Sequence, residues 1–378
     1  MKLKERLKEY KIAILYYVYR KNPICSHKAV FCNYNGKGFG CNPKYIALEM
    51  MKRNKNWDIV WIVKNAEEQF PNGIRTVMWD SKEAIYELAT AAVWVDNQRK
   101  LWYHRKRKKQ FFLETWHGAG IPMKKIGADN PNNYHNKPYK HTSLHMNKIV
   151  NLMISNSMAC TQIFHRAFLY KGKILNCGYP RNDILVGNRY KYRQLIREKY
   201  GISIDTNIIL YAPTYRNGRK LDKYNLDYDR VLNAVQNKFG GKWVAMLRFH
   251  PTINNLTLQQ NNIINVTDYS DMQELMAGSD LLISDYSSVI TEFALTEQPV
   301  FLYSEDVDEY VNERDFYINY FSLPFPIAQN NEEMIDNINN FEYRDYIREL
   351  KFCLEQYGVI EHGNAASTVV DIIENNVV

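Results

Sequence analysis

Short apolar runs alternate along this chain with amphipathic stretches of helical period. Runs rich in β-branched and aromatic residues predict strands at Ala29–Asn33, Trp57–Val63, Ala92–Asn97, Phe111–Thr115 and Val150–Ser155. Pro43–Lys52 and Ser81–Ala91 read as helices between them. A second series predicts strands at Ile208–Ala212, Trp243–Phe249, Leu281–Ser284 and Val300–Tyr303. Helices at Asp229–Lys238, Asp271–Ala277 and Ser288–Leu295 separate these. Strands joined through helices form parallel sheets covered on both faces. The pattern therefore predicts an α/β fold of two doubly wound domains, joined near Val186–Gly201. The polar stretch Gly118–His145, rich in Asn, Pro and His, reads as a long functional loop.

Composition sharpens this only in places. With 378 residues, 46% hydrophobic and 24% charged, the chain is too long for one core and suits two domains. The net charge of +8 is uneven. Met1–Arg20 carries Lys and Arg on one helical stripe and Leu3, Leu7, Ile14 and Leu15 on another. Arg99–Lys109, RKLWYHRKRKK, is the densest basic run. Basic residues mixed with Trp102 and Tyr103 suit an anionic lipid surface, a nucleic-acid groove or a solvated face. No RNA- or DNA-binding motif is present, so no nucleic-acid partner is expected. The apolar run Ile12–Tyr19 falls short of the roughly 20 residues a membrane-spanning helix needs, and it does not read as a secretory leader. A place in the cytoplasm or on the inner membrane face is expected. The six cysteines form no Cys-x-x-Cys pair and read as reduced, packed thiols.

Five motifs stand at predicted strand ends. Trp116-His117-Gly118-Ala119-Gly120 follows the strand ending at Thr115. His117 there offers a general base, or a capping side chain in a glycine turn. Gly178-Tyr179-Pro180-Arg181-Asn182-Asp183 follows strand-like Lys173–Cys177. Arg181 can fork onto a phosphate or pair with Asp183. Ala212-Pro213-Thr214-Tyr215-Arg216 combines a hydroxyl, backbone amides and a guanidinium. In Leu247-Arg248-Phe249-His250-Pro251, alternation places Arg248 and His250 on one side of a strand, as an anionic ligand or a structural ion pair would require. Ser284-Asp285-Tyr286-Ser287-Ser288 opens a helix, as an anion site or an ordinary cap does. Together they point to a cleft that binds a diphosphate-containing nucleotide. No carboxylate cluster at a strand end suggests a metal site, and no cofactor is expected.

At these residues the sequence resembles the CDP-glycerol glycerophosphotransferase family of teichoic acid primases, polymerases and related capsule enzymes. Gly40-Cys41-Asn42-Pro43-Lys44-Tyr45, WHGAGIPMKKIG, ISNS, GYPRNDIL, ILYAPTYR, RFHP and SDLLISDYSSVITEFALTEQPVFLY occur in the family's order. The resemblance implies a GT-B fold, two Rossmann-like domains facing across a cleft. It implies an acceptor domain over 1–187 and a CDP-donor domain over 188–378 with closing C-terminal helices. It implies a transferase moving glycerol phosphate from CDP-glycerol to a lipid-linked cell-wall teichoic acid or capsule acceptor with release of CMP; the alternative is a CDP-ribitol transferase or a nucleotide-sugar glycosyltransferase on the same fold. By matching motif, His117 and His250 are the expected catalytic residues, His117 as base and His250 at the donor phosphates. Trp116, Gly118, Ala119, Gly120, Arg181, Pro213, Thr214, Arg216, Arg248, Phe249, Asp285, Ser287, Ser288 and Glu292 form the expected donor site. Glu292 stands where many members carry Asp. Lipid-linked acceptors also favour an anionic membrane surface as partner of the two basic segments. The short basic N-terminal segment resembles the primase-sized or capsule-branching type.

Overall fold

The computed structural model describes residues 3–118, 120–134, 136–214, 225–249, 262–307, 310 and 316–377. Every pairing between its strands is parallel. The first sheet comprises β1 (Cys25–Cys32), β2 (Asp58–Val63), β3 (Ile74–Met78), β4 (Ala91–Asp96), β5 (Phe111–Glu114), β6 (Leu152–Ser155) and β7 (Lys173–Asn176), in the order β3-β2-β1-β4-β5-β6-β7. The second comprises β8 (Thr206–Tyr211), β9 (Lys242–Leu247), β10 (Ile263–Asn265), β11 (Leu281–Ser284), β12 (Val300–Tyr303) and β13 (Ile327–Ala328), in the order β10-β9-β8-β11-β12-β13. Each order reverses beside the first strand of its sheet, and doubly wound sheets bind ligands beyond the carboxyl ends at such a reversal. Strands β4, β11 and β12 are buried at every position, because helices cover both faces.

The chain divides into two compact units, one of Met1–Gly118, Ile126–Asp183 and Ile360–Val378, the other of Ala119–Lys125 and Ile184–Val359. This differs from a single break at 187/188. The last helix, Ala365–Val377, returns to the first unit because Val369, Val370 and Ile373 fill its core beside Phe31, Trp61 and Leu113. Helix α2 (Cys41–Lys52) receives it, and Arg53 at the end of α2 binds Asp371 at 2.6 Å and Glu374 at 3.1 Å. In turn, Ile121 and Met123 pack in the second core, where Tyr317 N donates to the Met123 carbonyl at 2.7 Å.

Gly118–His145 is not one long loop. It contains a 3-10 turn at Gly127–Asp129, a helical turn at Pro131–Tyr134 and the start of the helix Lys137–Ile149. That helix buries only Tyr139, Ser143, Met146 and Ile149, a narrow stripe hidden among polar residues. Asn136 caps it, accepting from Tyr139 N at 3.0 Å. Gly127 has φ +57°, and a Cβ there would meet the Ala167 carbonyl oxygen at 2.2 Å, so only glycine fits. The strands missed in sequence, β3, β10 and β13, are short; β3 is mostly exposed and β13 has two residues. Helix α1 (Leu3–Tyr19) buries Ile12 and Tyr16; of the expected apolar stripe, Leu7 and Ile14 are exposed and Leu15 is half-buried. Among the described residues, no helix is long and apolar enough to cross a membrane, and all six cysteines are free thiols.

The returning segment is seated by half-buried carboxyls. Asp183 accepts from Ala365 N at 2.9 Å and Ala366 N at 2.8 Å, capping the last helix. Glu361 accepts from Asn156 Nδ2 at 2.8 Å, Asn182 Nδ2 at 2.7 Å and Tyr179 N at 3.1 Å. Burial nevertheless dominates and pushes Glu361 up to about 8 and Asp183 up to about 6. Both bind a proton more tightly folded than unfolded. Their contribution to stability is complete below the ordinary carboxylate range and is lost as pH rises through about 6 and then about 8. The melting temperature should therefore fall from pH 6 to pH 9, and Glu361→Gln, which cannot ionise, should lose the step near pH 8. Calorimetry showing the same step in Glu361→Gln would assign it to another group.

Candidate active site

In the first unit, β5 feeds the turn Thr115–Gly118, where Trp116 adopts φ +52°. That region is sparse for an aromatic residue and persists only where surroundings over-determine it. Here the carbonyls of four successive residues are held. Asn42 Nδ2, in the first turn of α2, donates to the Trp116 carbonyl at 3.1 Å and more distantly to that of Thr115 at 3.4 Å. Arg181 Nη2 donates to the carbonyls of His117 at 3.0 Å and Gly118 at 2.6 Å. The two holders are joined, since Arg181 N donates to Asn42 Oδ1 at 3.2 Å.

The ring of His117 is fixed from its other end. Its Nδ1 lies 2.7 Å from the Asn97 carbonyl. A carbonyl only accepts, so Nδ1 carries the proton and Nε2 presents the lone pair. Trp116 lies against the imidazole at 4.0 Å and Tyr34 meets it edge-on at 5.1 Å. Asn97 itself joins the ends of β1 and β4 at the reversal, donating to Asn33 Oδ1 at 2.7 Å and accepting from Tyr34 N at 2.8 Å. Burial lowers His117 to about 4; the Asn97 carbonyl opposes this, while Arg181 and Arg99 reinforce it. The imidazole is neutral at physiological pH.

Beneath the turn, register places Asp96 on β4 opposite Glu114 on β5. Both are buried, and Lys100 Nζ pairs directly with Asp96 Oδ2. Burial and the Asp96 charge push Glu114 well above the usual carboxylate range, so it is the neutral member. Its Oε1 accepts from Trp116 N at 3.2 Å. Lys100, expected on a basic surface run, is in fact an internal cation.

In the second unit the reversal falls between β8 and β11. Pro213 and Thr214 follow β8, Asp285 follows β11, and the two turns are tied together. Asp285 Oδ1 accepts from Thr214 N at 2.8 Å, from Thr214 Oγ1 at 2.5 Å and from Tyr286 N at 2.6 Å. Asp285 is 3% exposed and builds the turn. Ser287 Oγ accepts from Val289 N at 3.4 Å, and Ser288 is exposed without a side-chain cap. The helix that follows, Val289–Phe293, is short and runs into the 3-10 turn Ala294–Thr296. An anion there would rest on turn amides and hydroxyls more than on a helix dipole. Arg248, beyond β9, is half-buried and donates from Nη1 to the Tyr269 carbonyl.

Several expected donor contacts take other places. Arg181 is 4% exposed, with its guanidinium on carbonyls and on Cys41 Sγ at 2.9 Å, where a phosphate fork was expected. Phe249 is buried edge-on against Tyr211 at 6.1 Å. Glu292 is buried and accepts from Gln273 Nε2 at 2.9 Å. Gly118 is a close approach, its missing Cβ lying 3.0 Å from Trp116 Nε1. Gly120 is buried within the second unit. Ala119, Arg216 and His250 lie outside the described residues. Sequence reasoning passed over Asn97, Asn33, Tyr34, Asp96 and Glu114, although all stand at or beside predicted strand ends. Among the described residues, no three His, Cys, Asp or Glu side chains gather as metal ligands.

Comparison with known proteins adds a family to this geometry. Residues 14–375 match the family described as CDP-Glycerol:Poly(glycerophosphate) glycerophosphotransferase. A teichoic acid poly(glycerol phosphate) polymerase of Staphylococcus epidermidis is 31% identical over 366 residues, 92% of this chain and 50% of that protein. The chain thus spans half the length of that relative. A polymerase of the same description from Bacillus spizizenii is 31% identical over 360 residues, 90% of each chain. Primases and polymerases named for ribitol phosphate match as well. Among solved structures, a histidine variant of the wall teichoic acid polymerase TagF soaked with CDPG superposes with TM-score 0.84 at 27% identity, covering 100% of this chain and 98% of that one.

A histidine lowered to about 4 titrates far below the physiological range. If His117 must be neutral to act, the acid limb of kcat/KM should lie near pH 4–5, with no further fall between pH 6 and 8. A limb near the ordinary histidine value of roughly 6.5 would assign the essential base to another group.

Proposed function

The chain belongs to the CDP-glycerol:poly(glycerophosphate) glycerophosphotransferase family, and on that premise we propose that it transfers glycerol phosphate from CDP-glycerol to a lipid-linked teichoic acid or capsule acceptor. The observation that carries the reading is His117, with Nδ1 tied to the Asn97 carbonyl and Nε2 left as proton acceptor. In the proposed step an acceptor hydroxyl attacks the phosphorus bearing glycerol. The new O–P bond forms as the P–O bond to CMP breaks. His117 Nε2 takes the hydroxyl proton, and CMP leaves with the electron pair. Thr214, Ser287, Ser288 and Arg248 are the proposed donor-phosphate groups. His250, outside the described residues, remains a proposed catalytic residue for the donor phosphates. The second reading is transfer of ribitol phosphate from CDP-ribitol, since relatives named for that unit also match.

The acceptor's lipid gives a role to α1. Tyr10, Ile14, Tyr17 and Val18 are exposed along it, next to the exposed cations Lys11, Arg20, Lys21 and Arg105. Rings and aliphatic side chains rimmed by cations suit the boundary of an anionic bilayer. We place the protein on the inner face of the cell membrane.

His117→Ala should lower the single-turnover rate of CMP release about 10²–10⁴-fold while leaving donor affinity and melting temperature nearly intact. Wild-type turnover by the folded variant would remove His117 from catalysis. CMP released from CDP-ribitol, and none from CDP-glycerol, would turn the reading to the second donor. On liposomes, flotation should require anionic lipid, fade with salt and drop in Ile14→Glu. Equal binding to neutral vesicles would overturn the surface proposed.

A further inference from the structure

Arg181 and Asn42 are buried and converge on one strained turn. A guanidinium that is buried keeps its charge at a desolvation cost, so the hydrogen bonds it makes bear on its role. The role visible here is geometric. The carbonyls from Thr115 to Gly118 accept hydrogen bonds from these two side chains, while Glu114 holds the Trp116 amide. The peptide planes so held determine where the Cα–Cβ bond of His117 points, and hence whether Nδ1 meets the Asn97 carbonyl at 2.7 Å. The seat extends outward from Arg181. Its turn, Pro180–Leu185, is held through Asn182 by Glu361, which also accepts from Tyr179 N and lies on the segment that returns from the second unit.

We propose that Arg181, acting with Asn42, is a positioning residue for His117 and not a ligand of the donor phosphate. The inference rests on the reading of His117 as base. Arg181 acts through backbone carbonyls, so losing it should misplace the imidazole without removing a donor contact. It also supplies a cation facing His117, as does Arg99, and Tyr34 and Trp116 lie against the ring.

The test compares Arg181→Ala, Arg181→Lys and Asn42→Ala with His117→Ala. Lysine keeps the charge but cannot fork onto two carbonyls and a thiol at once. At saturating CDP-glycerol, the single-turnover rate should fall about 10–100-fold in all three positioning variants, as expected for an ångström-scale misplacement. Calorimetric affinity for CDP-glycerol should stay at the wild-type value. The acid limb of kcat/KM should move up from near 4 in Arg181→Ala, where a neighbouring cation is gone, and stay put in Arg181→Lys. If Arg181→Ala does not fold, the lysine and Asn42 variants carry the test. Weaker donor affinity with an unchanged rate at saturation would make Arg181 a phosphate ligand and overturn the proposal. Wild-type kinetics in the Arg181 variants beside a slow His117→Ala would overturn the positioning role alone. Wild-type turnover in His117→Ala would overturn the base itself, and this inference with it.

Discussion

A parallel sheet with helices on both faces has no solvent side, so the polar needs of its strands are met at their ends. Every strand pair here is parallel, and β4, β11 and β12 are buried throughout. Where the strand order reverses, adjacent connections leave in opposite directions and open a gap at the carboxyl edge. In the first sheet that gap is bridged by Asn97 and Asn33, in the second by Asp285 and Thr214. The same constraint thus produces a side chain spanning the reversal in each unit. In the first, it also supplies the carbonyl that orients His117.

Burying polar groups at those edges is demanding. An unpartnered buried polar group costs about 1–3 kcal/mol, and breaking a buried ion pair about 3–5 kcal/mol. Asp96 and Lys100 are 1% and 3% exposed, so their pairing is obligatory. Glu114, opposite Asp96, is left neutral, because two carboxylates cannot both ionise so close together in a dry site. Its oxygen then serves the Trp116 amide, stiffening the strained turn from below while Asn42 and Arg181 hold it from the side.

The consequence for chemistry is a histidine whose tautomer is set and whose charge is suppressed. Being neutral well below physiological pH weakens an imidazole as a base, but keeps its Nε2 lone pair present across the whole working range. On this view orientation, more than basicity, is what the surrounding residues provide.

How much of this was legible in the chain depends on the range of the interaction. Strand cores such as Leu281–Ser284 and Val300–Tyr303 follow from local apolar runs, and their boundaries match. The doubly wound class follows from the βα alternation, and the order of motifs identifies the family with residues 14–375 matched. Edge strands and the helix Lys137–Ile149 escaped because exposed or narrow stripes carry little periodic signal. The role of Arg181 was not legible either. Its partners, Cys41, Asn42, His117 and Gly118, lie far from it in sequence, and a guanidinium suits a phosphate or a pair of carbonyls equally well. Likewise the return of Ala365–Val377 to the first core rests on Val369, Val370 and Ile373 finding a complementary apolar face. Residue types and their order determined the fold class, the family and His117 as a candidate. The pKa of that histidine, the burial of Lys100 and the seat of the turn were decided only by tertiary packing, because desolvation and hydrogen bonding depend on neighbours distant in sequence.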